Sequence, residues 1–103
     1  MALIRWAEPA LSELDAIAEY IALENPTAAR ALVARVLKTI ERLERHPYSG
    51  RIPREISTGR YREIVEGPCR VLYRPTDSEV YILHVMRNEQ NLRRYLLGER
   101  DTS

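Results

Sequence analysis

The chain has 103 residues, of which 45% are hydrophobic and 30% are charged, and its formal net charge is +1. This length suffices for one domain with one core and is too short for a cofactor-binding domain joined to a substrate domain. No apolar run approaches the roughly 18 residues of a membrane span, and the N-terminus lacks the basic start and apolar stretch of a signal peptide. We therefore expect one soluble, cytoplasmic domain over residues 1–103, without membrane contact and with a flexible tail over 98–103.

The small net charge conceals an uneven distribution of basic residues. Residues 1–24 carry one Arg and five acids, whereas residues 25–62 carry nine basic residues and three acids. Of the 16 Lys and Arg residues, all but Lys38 are Arg, whose planar guanidinium suits carboxylate and phosphate recognition. GC-rich codon usage explains the same bias equally well. The single cysteine, Cys69, lies in an apolar run and is expected in the core rather than in catalysis.

The first elements predicted along the chain are a short strand and a helix. In Ala2–Trp6, Ile4 and Trp6 share one face at a spacing of two, which is typical of a strand. Pro9 suits the first turn of a helix, and Glu13 is expected to stabilise the positive end of that helix. Apolar residues then recur at helical spacing over about 15 residues. These positions are Leu11, Leu14, Ile17, Ala18 and Ile21.

A second helix is predicted directly after the first. Asn25 is a candidate N-cap, and Pro26 suits the first helical position. Apolar residues recur over about 18 residues, at Ala29, Leu32, Val33, Val36, Leu37, Ile40 and Leu43. Because the connection is short, the two helices should form an antiparallel hairpin, whose apolar stripes need a sheet to cover.

The second half of the chain predicts strands. The segment from Pro47 to Gly59 is rich in turn formers and has no sustained period, which indicates a surface crossing. Strand-like runs follow at Tyr61–Val65, Arg70–Tyr73 and Val80–Met86, and their short connections favour antiparallel pairing. Residues 89–97 fit a short helix or an extended tail.

Together these elements predict an α+β fold of order β-α-α-β-β-β, with an optional C-terminal helix. An antiparallel curved sheet would pack one face against the αα-hairpin, with the N-terminal strand at an edge or between the others. We expect the other face of the sheet to be bare, and a partner to bind there.

An ordered set of short motifs resembles the ParE/RelE toxin superfamily from about residue 4 to residue 92. The motifs are Ile4–Ala10, Leu14, Ile17, Tyr20–Ile21, Asn25–Ala29, Pro47–Arg51, Arg62–Glu63, Arg70–Tyr73 and Ile82–Val85. No single motif is specific, whereas the ordered set is hard to obtain by accident. The resemblance implies the fold predicted above, a bacterial cytoplasmic setting, and a toxin of a type II toxin–antitoxin system neutralised by a cognate ParD-like antitoxin.

Charged residues within the predicted strands stand out as candidates for a site. Arg62, Glu63 and Arg70 would be costly to bury unless they are paired or face solvent. If Arg70 and Glu63 project from neighbouring strands, they can form a structural ion pair. In the functional interpretation, Arg70 presents its guanidinium on the open sheet face to a phosphate or to an antitoxin carboxylate.

The resemblance leaves two activities open. RelE-like members are ribosome-dependent messenger RNA endonucleases, for which Glu63 would be the base and Arg70 would supply positive charge. The histidine-containing end common in the superfamily is replaced here by Met86–Gln90, and His84 lies within a strand, where packing is expected. ParE-like members stabilise the cleaved-DNA state of DNA gyrase without chemistry of their own. We expect this second activity, without catalytic residues, while Met86–Gln90 leaves an altered target or lost toxicity open.

The ParE-like hypothesis assigns target binding to Arg70, Arg87, Leu92, Arg93, Arg94 and Tyr95, although Arg93 and Arg94 also fit a solvated patch. An acidic, amphipathic antitoxin segment is expected to fold across the basic hairpin or sheet surface. Its carboxylate partners would be Arg30, Arg35, Arg42, Arg51 and Arg54. The net charge of +1 provides little attraction for phosphates, so strong DNA binding by the chain alone is not expected. Neither a metal nor another cofactor is expected.

Overall fold

The computed structural model describes residues 1–87, which form a four-stranded sheet with two helices packed on one face. The elements are β1 (Leu3–Trp6), α1 (Glu8–Ala22), α2 (Pro26–Glu41) with a 3-10 turn at Arg42–Glu44, β2 (Arg62–Glu66), β3 (Cys69–Pro75) and β4 (Glu79–Arg87). The predicted α+β order is therefore confirmed over this range. The predicted C-terminal helix and the 98–103 tail lie outside the described residues.

Both helices begin where the sequence predicts. The side-chain Oδ1 of Asn25 accepts a hydrogen bond from the backbone N–H of Ala28 at 3.0 Å, and Pro26 is the first residue of α2. Proline is favourable there because a helix leaves its first N–H groups without a partner. Pro9 plays the same part in α1, where no side chain caps the helix and Ala7 is the N-cap residue.

The sheet has the strand order β1-β4-β3-β2. Strands β2, β3 and β4 are antiparallel neighbours, as predicted from their short connections. The predicted all-antiparallel pairing is wrong for β1, which lies at the edge and pairs parallel to β4, with Ile4 opposite Val80 and Trp6 opposite Ile82. Only a hairpin connection forces antiparallel pairing. Between β1 and β4 the chain runs through both helices and two other strands, so that constraint is absent.

The main core lies between the helices and one face of the sheet, here called the helix side. Its buried members from the helices include Ala10, Leu14, Leu32, Val36, Ile40 and Leu43, and those from the strands include Cys69, Val71, Tyr73, Val80, Ile82 and Val85. Most of the predicted apolar positions are therefore in the core. Leu11 and Leu37 are exceptions, with 47% and 45% of their surface exposed.

The opposite face of the sheet, here called the open side, is only partly open. Leu72, Leu83 and Met86 form a second, smaller buried cluster there. Residues 45–61, which link the helices to β2, are here called the crossing segment. Two of its residues, Ile56 and Tyr61, pack against this cluster. The expectation of a bare face is therefore wrong for its central part, because β3 and β4 carry apolar residues on both faces and the crossing segment covers some of them.

A partly buried contact joins α1 to β4. Glu13 accepts a hydrogen bond from the backbone N–H of Val85 at 3.0 Å, and its other oxygen lies 3.6 Å from Nδ1 of His84. His84 is 1% exposed, as its position within a strand predicts. Glu13 thus links α1 to the sheet. The sequence predicts only that Glu13 stabilises the positive N-terminal end of the helix.

Candidate functional site

Four side chains on the open side form a continuous set of ion pairs, here called the charge cluster: Arg51, Glu55, Glu63 and Arg70. Nη2 of Arg70 lies 2.6 Å from Oε1 of Glu63, and Nε of Arg51 lies 2.7 Å from Oε2 of the same carboxylate. Glu55 binds Arg70 from the other side, with two contacts of 3.0 Å between its two oxygens and Nη1 and Nη2. The predicted pairing of Arg70 with Glu63 is therefore present and extends to two further residues.

The strand register explains why Glu63 and Arg70 meet. Glu63 lies opposite Leu72, and Val65 lies opposite Arg70, in the antiparallel ladder of β2 and β3. Paired residues share a face, and alternate residues of one strand share a face, so Glu63 and Arg70 both project from the open side. The diagonal distance between them is within reach of two long side chains.

The crossing segment is held in place by a buried tyrosine, which positions Arg51 and Glu55. The hydroxyl of Tyr73, which is fully buried, accepts a hydrogen bond from the backbone N–H of Gly50 at 2.8 Å. A Cβ atom on Gly50 would lie 2.5 Å from that hydroxyl, so the close approach requires glycine. Arg51 then exchanges two backbone hydrogen bonds with Glu63, at 3.0 and 2.8 Å.

Arg62, the first residue of β2, also holds the crossing segment in place. Its Nη1 donates to the backbone carbonyl of Tyr48 at 2.8 Å and to that of Gly50 at 3.1 Å, and its guanidinium lies 5.7 Å from the centre of the Tyr48 ring. A charged side chain that satisfies two loop carbonyls in this way fixes the conformation of the loop. Arg62, which sequence reasoning marked as a charged strand residue, thus has a structural role here.

Two members of the charge cluster, Glu63 and Arg70, are largely withdrawn from water, whereas Arg51 is exposed and Glu55 is partly exposed. Glu63 is 4% exposed and Arg70 is 9% exposed. Hydrogen bonding to Glu55, followed by that to Glu63, raises the pKa of Arg70 above its ordinary value, against the opposing effect of burial. Both oxygens of Glu63 accept hydrogen bonds from guanidinium groups, which occupy the atoms that a general base would use.

A concavity of about 710 Å³ lies over the charge cluster. Besides the four charged residues, it is lined by Ile52, Arg54 and Val65. Ile52 and Val65 are 48% and 42% exposed, which leaves apolar surface beside the charges. Sequence reasoning assigned roles to Arg51, Arg54, Glu63 and Arg70 but overlooked Glu55, for which the chain offers no local signal.

The predicted antitoxin-binding arginines occupy separate parts of the surface. Arg51 and Arg54 border the concavity on the open side. Arg35 lies 3.6 Å from Glu66 of β2, and Arg30 lines a groove between the helices. Since Arg30 and Arg35 are five residues apart, they point roughly 140° apart around α2. Arg42 is exposed at the C-terminal end of α2. These arginines therefore do not form one patch, and their role in binding stays a prediction.

The predicted target-binding residues are also divided. In the ladder of β3 and β4, Arg70 lies opposite Met86, whereas Arg87 lies opposite Cys69. Arg70 thus belongs to the open side and Arg87 to the helix side, where it borders a hollow lined mainly by α1. Leu92, Arg93, Arg94 and Tyr95 lie outside the described residues. Target binding by this set stays a prediction.

An apolar groove on the outer side of the helical hairpin is a further surface that sequence reasoning overlooked. It has a volume of about 510 Å³ and is lined from α1 by Ala18, Glu19 and Ala22 and from α2 by Pro26, Ala29, Arg30, Val33, Ala34 and Leu37. The partial exposure of Leu37 is explained by this position. Small residues at helical spacing on both helices are the signal that predicts such a groove.

Residues 1–87 contain neither a candidate metal cluster nor a helix suited to cross a membrane. No cluster of three or more His, Cys, Asp or Glu side chains suitable for a metal ion is present in that range. Neither α1 nor α2, nor any other helix within it, combines the length and apolarity needed to cross a bilayer.

Comparison with protein families gives one match that spans most of the chain. Residues 4–92 match the family model described as the ParE toxin of the type II toxin–antitoxin system parDE. Among curated sequences, the chain is 38% identical over 87 residues to "Putative toxin Y4kP" of Sinorhizobium fredii, covering 84% of this chain and 88% of that protein. It is 33% identical over 86 residues to "Toxin RelE2" of Caulobacter vibrioides, covering 82% of this chain and 93% of that protein.

A solved structure has the same fold. The chain superposes with a TM-score of 0.71 on a protein from the structure titled "Chromosomal ParDE TA system from P. aeruginosa", covering 86% of this chain and 98% of that one. The sequence identity is 23%, so this likeness concerns the fold.

Proposed function

The chain belongs to the ParE toxin family of type II toxin–antitoxin systems, and from this premise we propose that it inhibits DNA gyrase by binding and stabilising the cleaved-DNA complex. The match of residues 4–92 to the ParE family model carries this proposal. A toxin of this kind acts by surface complementarity and needs no proton-transfer pair of its own.

The geometry of the charge cluster supports a non-catalytic mode of action. Cleaving RNA through its 2′-hydroxyl requires a base with an accessible oxygen and an acid for the leaving group. Glu63, the candidate base, is 4% exposed, and both of its oxygens accept hydrogen bonds from arginine side chains. His84 is buried beside Glu13. These side chains act as structural partners in the described part of the chain.

The alternative is a ribosome-dependent messenger RNA endonuclease of the RelE type. One observation favours it: the chain is 33% identical to a protein named "Toxin RelE2". In that case Glu63 would have to leave at least one arginine when the ribosome binds, so that an oxygen becomes available as the base, while Arg70 supplies charge to the phosphate.

Induction of the toxin alone in bacteria separates the two functions. A gyrase poison should trigger the DNA-damage response, since cleaved DNA accumulates, and should leave messages intact. A RelE-type nuclease should cut messages at the ribosomal A site without that response, and this outcome would contradict the proposal. Co-expression with the neighbouring antitoxin gene is the control, because it should abolish either effect.

The assignment of target binding to Leu92, Arg93, Arg94 and Tyr95 is tested by truncation after Gln90, which leaves Arg87 in place. We expect the truncated chain to lose gyrase inhibition and to keep most of its affinity for the antitoxin, whose proposed partners are arginines at positions 30–54. Equal loss of both activities would contradict this assignment. An Arg87→Ala variant of the full-length chain tests that residue separately.

We also propose a ParD-like antitoxin as the partner that neutralises the toxin, and a cytoplasmic location. An acidic antitoxin segment complements the basic stretch from residue 25 to residue 62, which carries nine basic and three acidic residues. Binding of the antitoxin should weaken as salt rises, because exposed charge pairs are screened. The purified chain alone should bind duplex DNA weakly, since its formal net charge is +1.

A further inference from the structure

The two carboxylates that bind Arg70 differ in their surroundings. Glu63 belongs to β2, and its side chain is 5% exposed. Glu55 belongs to the irregular crossing segment, and its side chain is 25% exposed. Glu55 nevertheless binds the guanidinium with both oxygens at 3.0 Å, which is the two-point geometry by which arginine recognises a carboxylate. Glu55 therefore occupies the accessible edge of a preformed carboxylate site.

We propose that the concavity over the charge cluster is a binding site for an acidic peptide, and that Glu55 is its internal occupant. A carboxylate of the incoming peptide replaces Glu55 on Nη1 and Nη2 of Arg70, while Glu63 keeps its contacts with Arg70 and Arg51. The displaced Glu55 turns to solvent. This inference rests on the proposed antitoxin contact of Arg51 and Arg54 and specifies its chemistry.

The charges around the concavity favour a carboxylate. Within residues 1–87, three arginines, Arg51, Arg54 and Arg70, line the concavity together with two glutamates, Glu55 and Glu63. Once Glu55 has left, one negative charge faces three positive charges among these residues. One peptide carboxylate restores the original ratio, and a second would neutralise the site. A nucleic acid backbone would bring a phosphate every few ångströms, which calls for a more extended basic surface.

The apolar rim of the concavity favours a peptide over a small anion. Ile52 and Val65 lie beside the arginines and are about half exposed, at 48% and 42%. An amphipathic segment can cover both residues with its own apolar side chains while it presents a carboxylate to Arg70. We therefore assign the site to a peptide in which acidic and aliphatic residues alternate.

Internal competition by Glu55 predicts that its removal strengthens binding. The probe is a short fluorescent peptide of alternating leucine and glutamate, and its neutral counterpart alternates leucine and glutamine. Glu55→Ala should bind the acidic peptide about 3- to 10-fold more tightly than the unaltered chain, because no internal carboxylate has to be displaced. Glu55→Gln, which keeps the shape and loses the charge, should show the same direction. Fluorescence anisotropy measures the affinities.

Matched controls separate this effect from general electrostatics. Glu24→Ala removes the same charge from the exposed turn between the helices and should leave the affinity unchanged. Arg54→Ala, at an exposed position on the rim, should weaken binding of the acidic peptide. Thermal unfolding of each variant shows which of them are folded, and either Glu55 variant suffices for the comparison.

Four results would overturn the proposal. The first three are unchanged or weaker binding of the acidic peptide by both Glu55 variants, a gain in affinity in Glu24→Ala equal to that in the Glu55 variants, and an equal gain for the neutral peptide. The fourth is displacement of the acidic peptide by a short RNA at a lower concentration than by unlabelled peptide. The last result would assign the site to phosphate. A parallel gyrase assay of the unaltered chain keeps the two proposals distinguishable, because gyrase inhibition without the Glu55 effect removes only the peptide site.

Discussion

The two faces of the sheet differ in what their residues do, and β3 shows the difference within one strand. Cys69, Val71 and Tyr73 point to the helix side and are fully buried in the main core. Arg70 and Leu72 alternate with these residues along β3 and belong to the open side. Arg70 binds two glutamates there, and Leu72 is part of the small second cluster. The helix side is continuous and apolar, whereas the open side mixes ion pairs with a few apolar contacts. We therefore expect stability to be concentrated on the helix side, whereas the proposed peptide site lies on the open side.

The sharpest test of this difference compares an apolar truncation on each face. Ile82, at the centre of β4, is fully buried in the helix-side core. Ile82→Ala should lower the free energy of unfolding by about 4 kcal/mol, from lost burial and the cavity left behind. Val65→Ala, at a position on the open side that is 42% exposed, should cost only about 0.5 kcal/mol. Urea denaturation measures both, and similar losses would remove the distinction between the faces.

Breaking the charge cluster tests whether the open side also contributes to stability. Arg70→Ala leaves Glu63 buried with one arginine fewer, and we expect a loss of about 3 kcal/mol, at the low end for a buried pair because Glu55 is partly exposed. Replacing both partners, with Arg70→Met and Glu63→Leu, should recover most of that loss. A double variant no more stable than Arg70→Ala would show that the ion pair, rather than the unpaired charge, provides the stability.

A smaller effect is expected where the crossing segment passes Tyr73. Gly50→Ala places a methyl group within 2.5 Å of the Tyr73 hydroxyl and 2.7 Å of the Glu63 carbonyl oxygen. We expect a loss of about 2 kcal/mol from overpacking, together with displacement of Arg51 from the charge cluster. In a Tyr73→Phe background the same change should cost less, since the closest atom is gone. Equal costs in both backgrounds would mean that the Glu63 carbonyl and the ring carbon of residue 73, at 2.7 and 2.8 Å, set the limit without the hydroxyl.

The smallest effect concerns alkaline pH. Burial raises the pKa of Tyr73 above its ordinary value, against the weaker opposing effects of its Gly50 hydrogen bond and of Arg62. The folded chain thus holds this proton more tightly than the unfolded chain does. Stability should be unaffected by Tyr73 below about pH 10 and should fall above it, by at most about 1.4 kcal/mol per pH unit for one proton. Tyr73→Phe should flatten this fall, and identical pH profiles for both chains would contradict the assignment.

The sequence predicts well those features that depend on local patterns. The Asn25-Pro26 start of α2, the apolar spacing of both helices and the short connections of β2 to β4 are all local, and the structure confirms them. The parallel pairing of β1 with β4 is not local, because no short turn links these strands. The packing of Ile56 against the cluster of Leu72 is also not local, since nothing near Ile56 in the sequence indicates which strand it contacts.

The candidate site shows the same limit. The alternation along β2 and β3 is sufficient to bring Glu63 and Arg70 to one face, so their pairing is predictable. Glu55 lies in a segment without a period, and its contact with Arg70 depends on how Gly50 and Tyr73 fix the path of that segment. The division of Arg70 and Arg87 between the two faces follows from the register of β3 and β4, which includes a bulge at Leu72 and Tyr73 that the sequence does not indicate.

The central claim is tested most directly by incubating the purified chain with DNA gyrase, ATP and supercoiled plasmid, and measuring cleaved plasmid. We expect cleaved plasmid to accumulate with the dose of toxin, and a molar excess of antitoxin to prevent this. Unaltered gyrase activity at every dose, together with messenger RNA cut at the ribosomal A site by the same preparation, would contradict the proposed target and assign the chain to the nuclease branch.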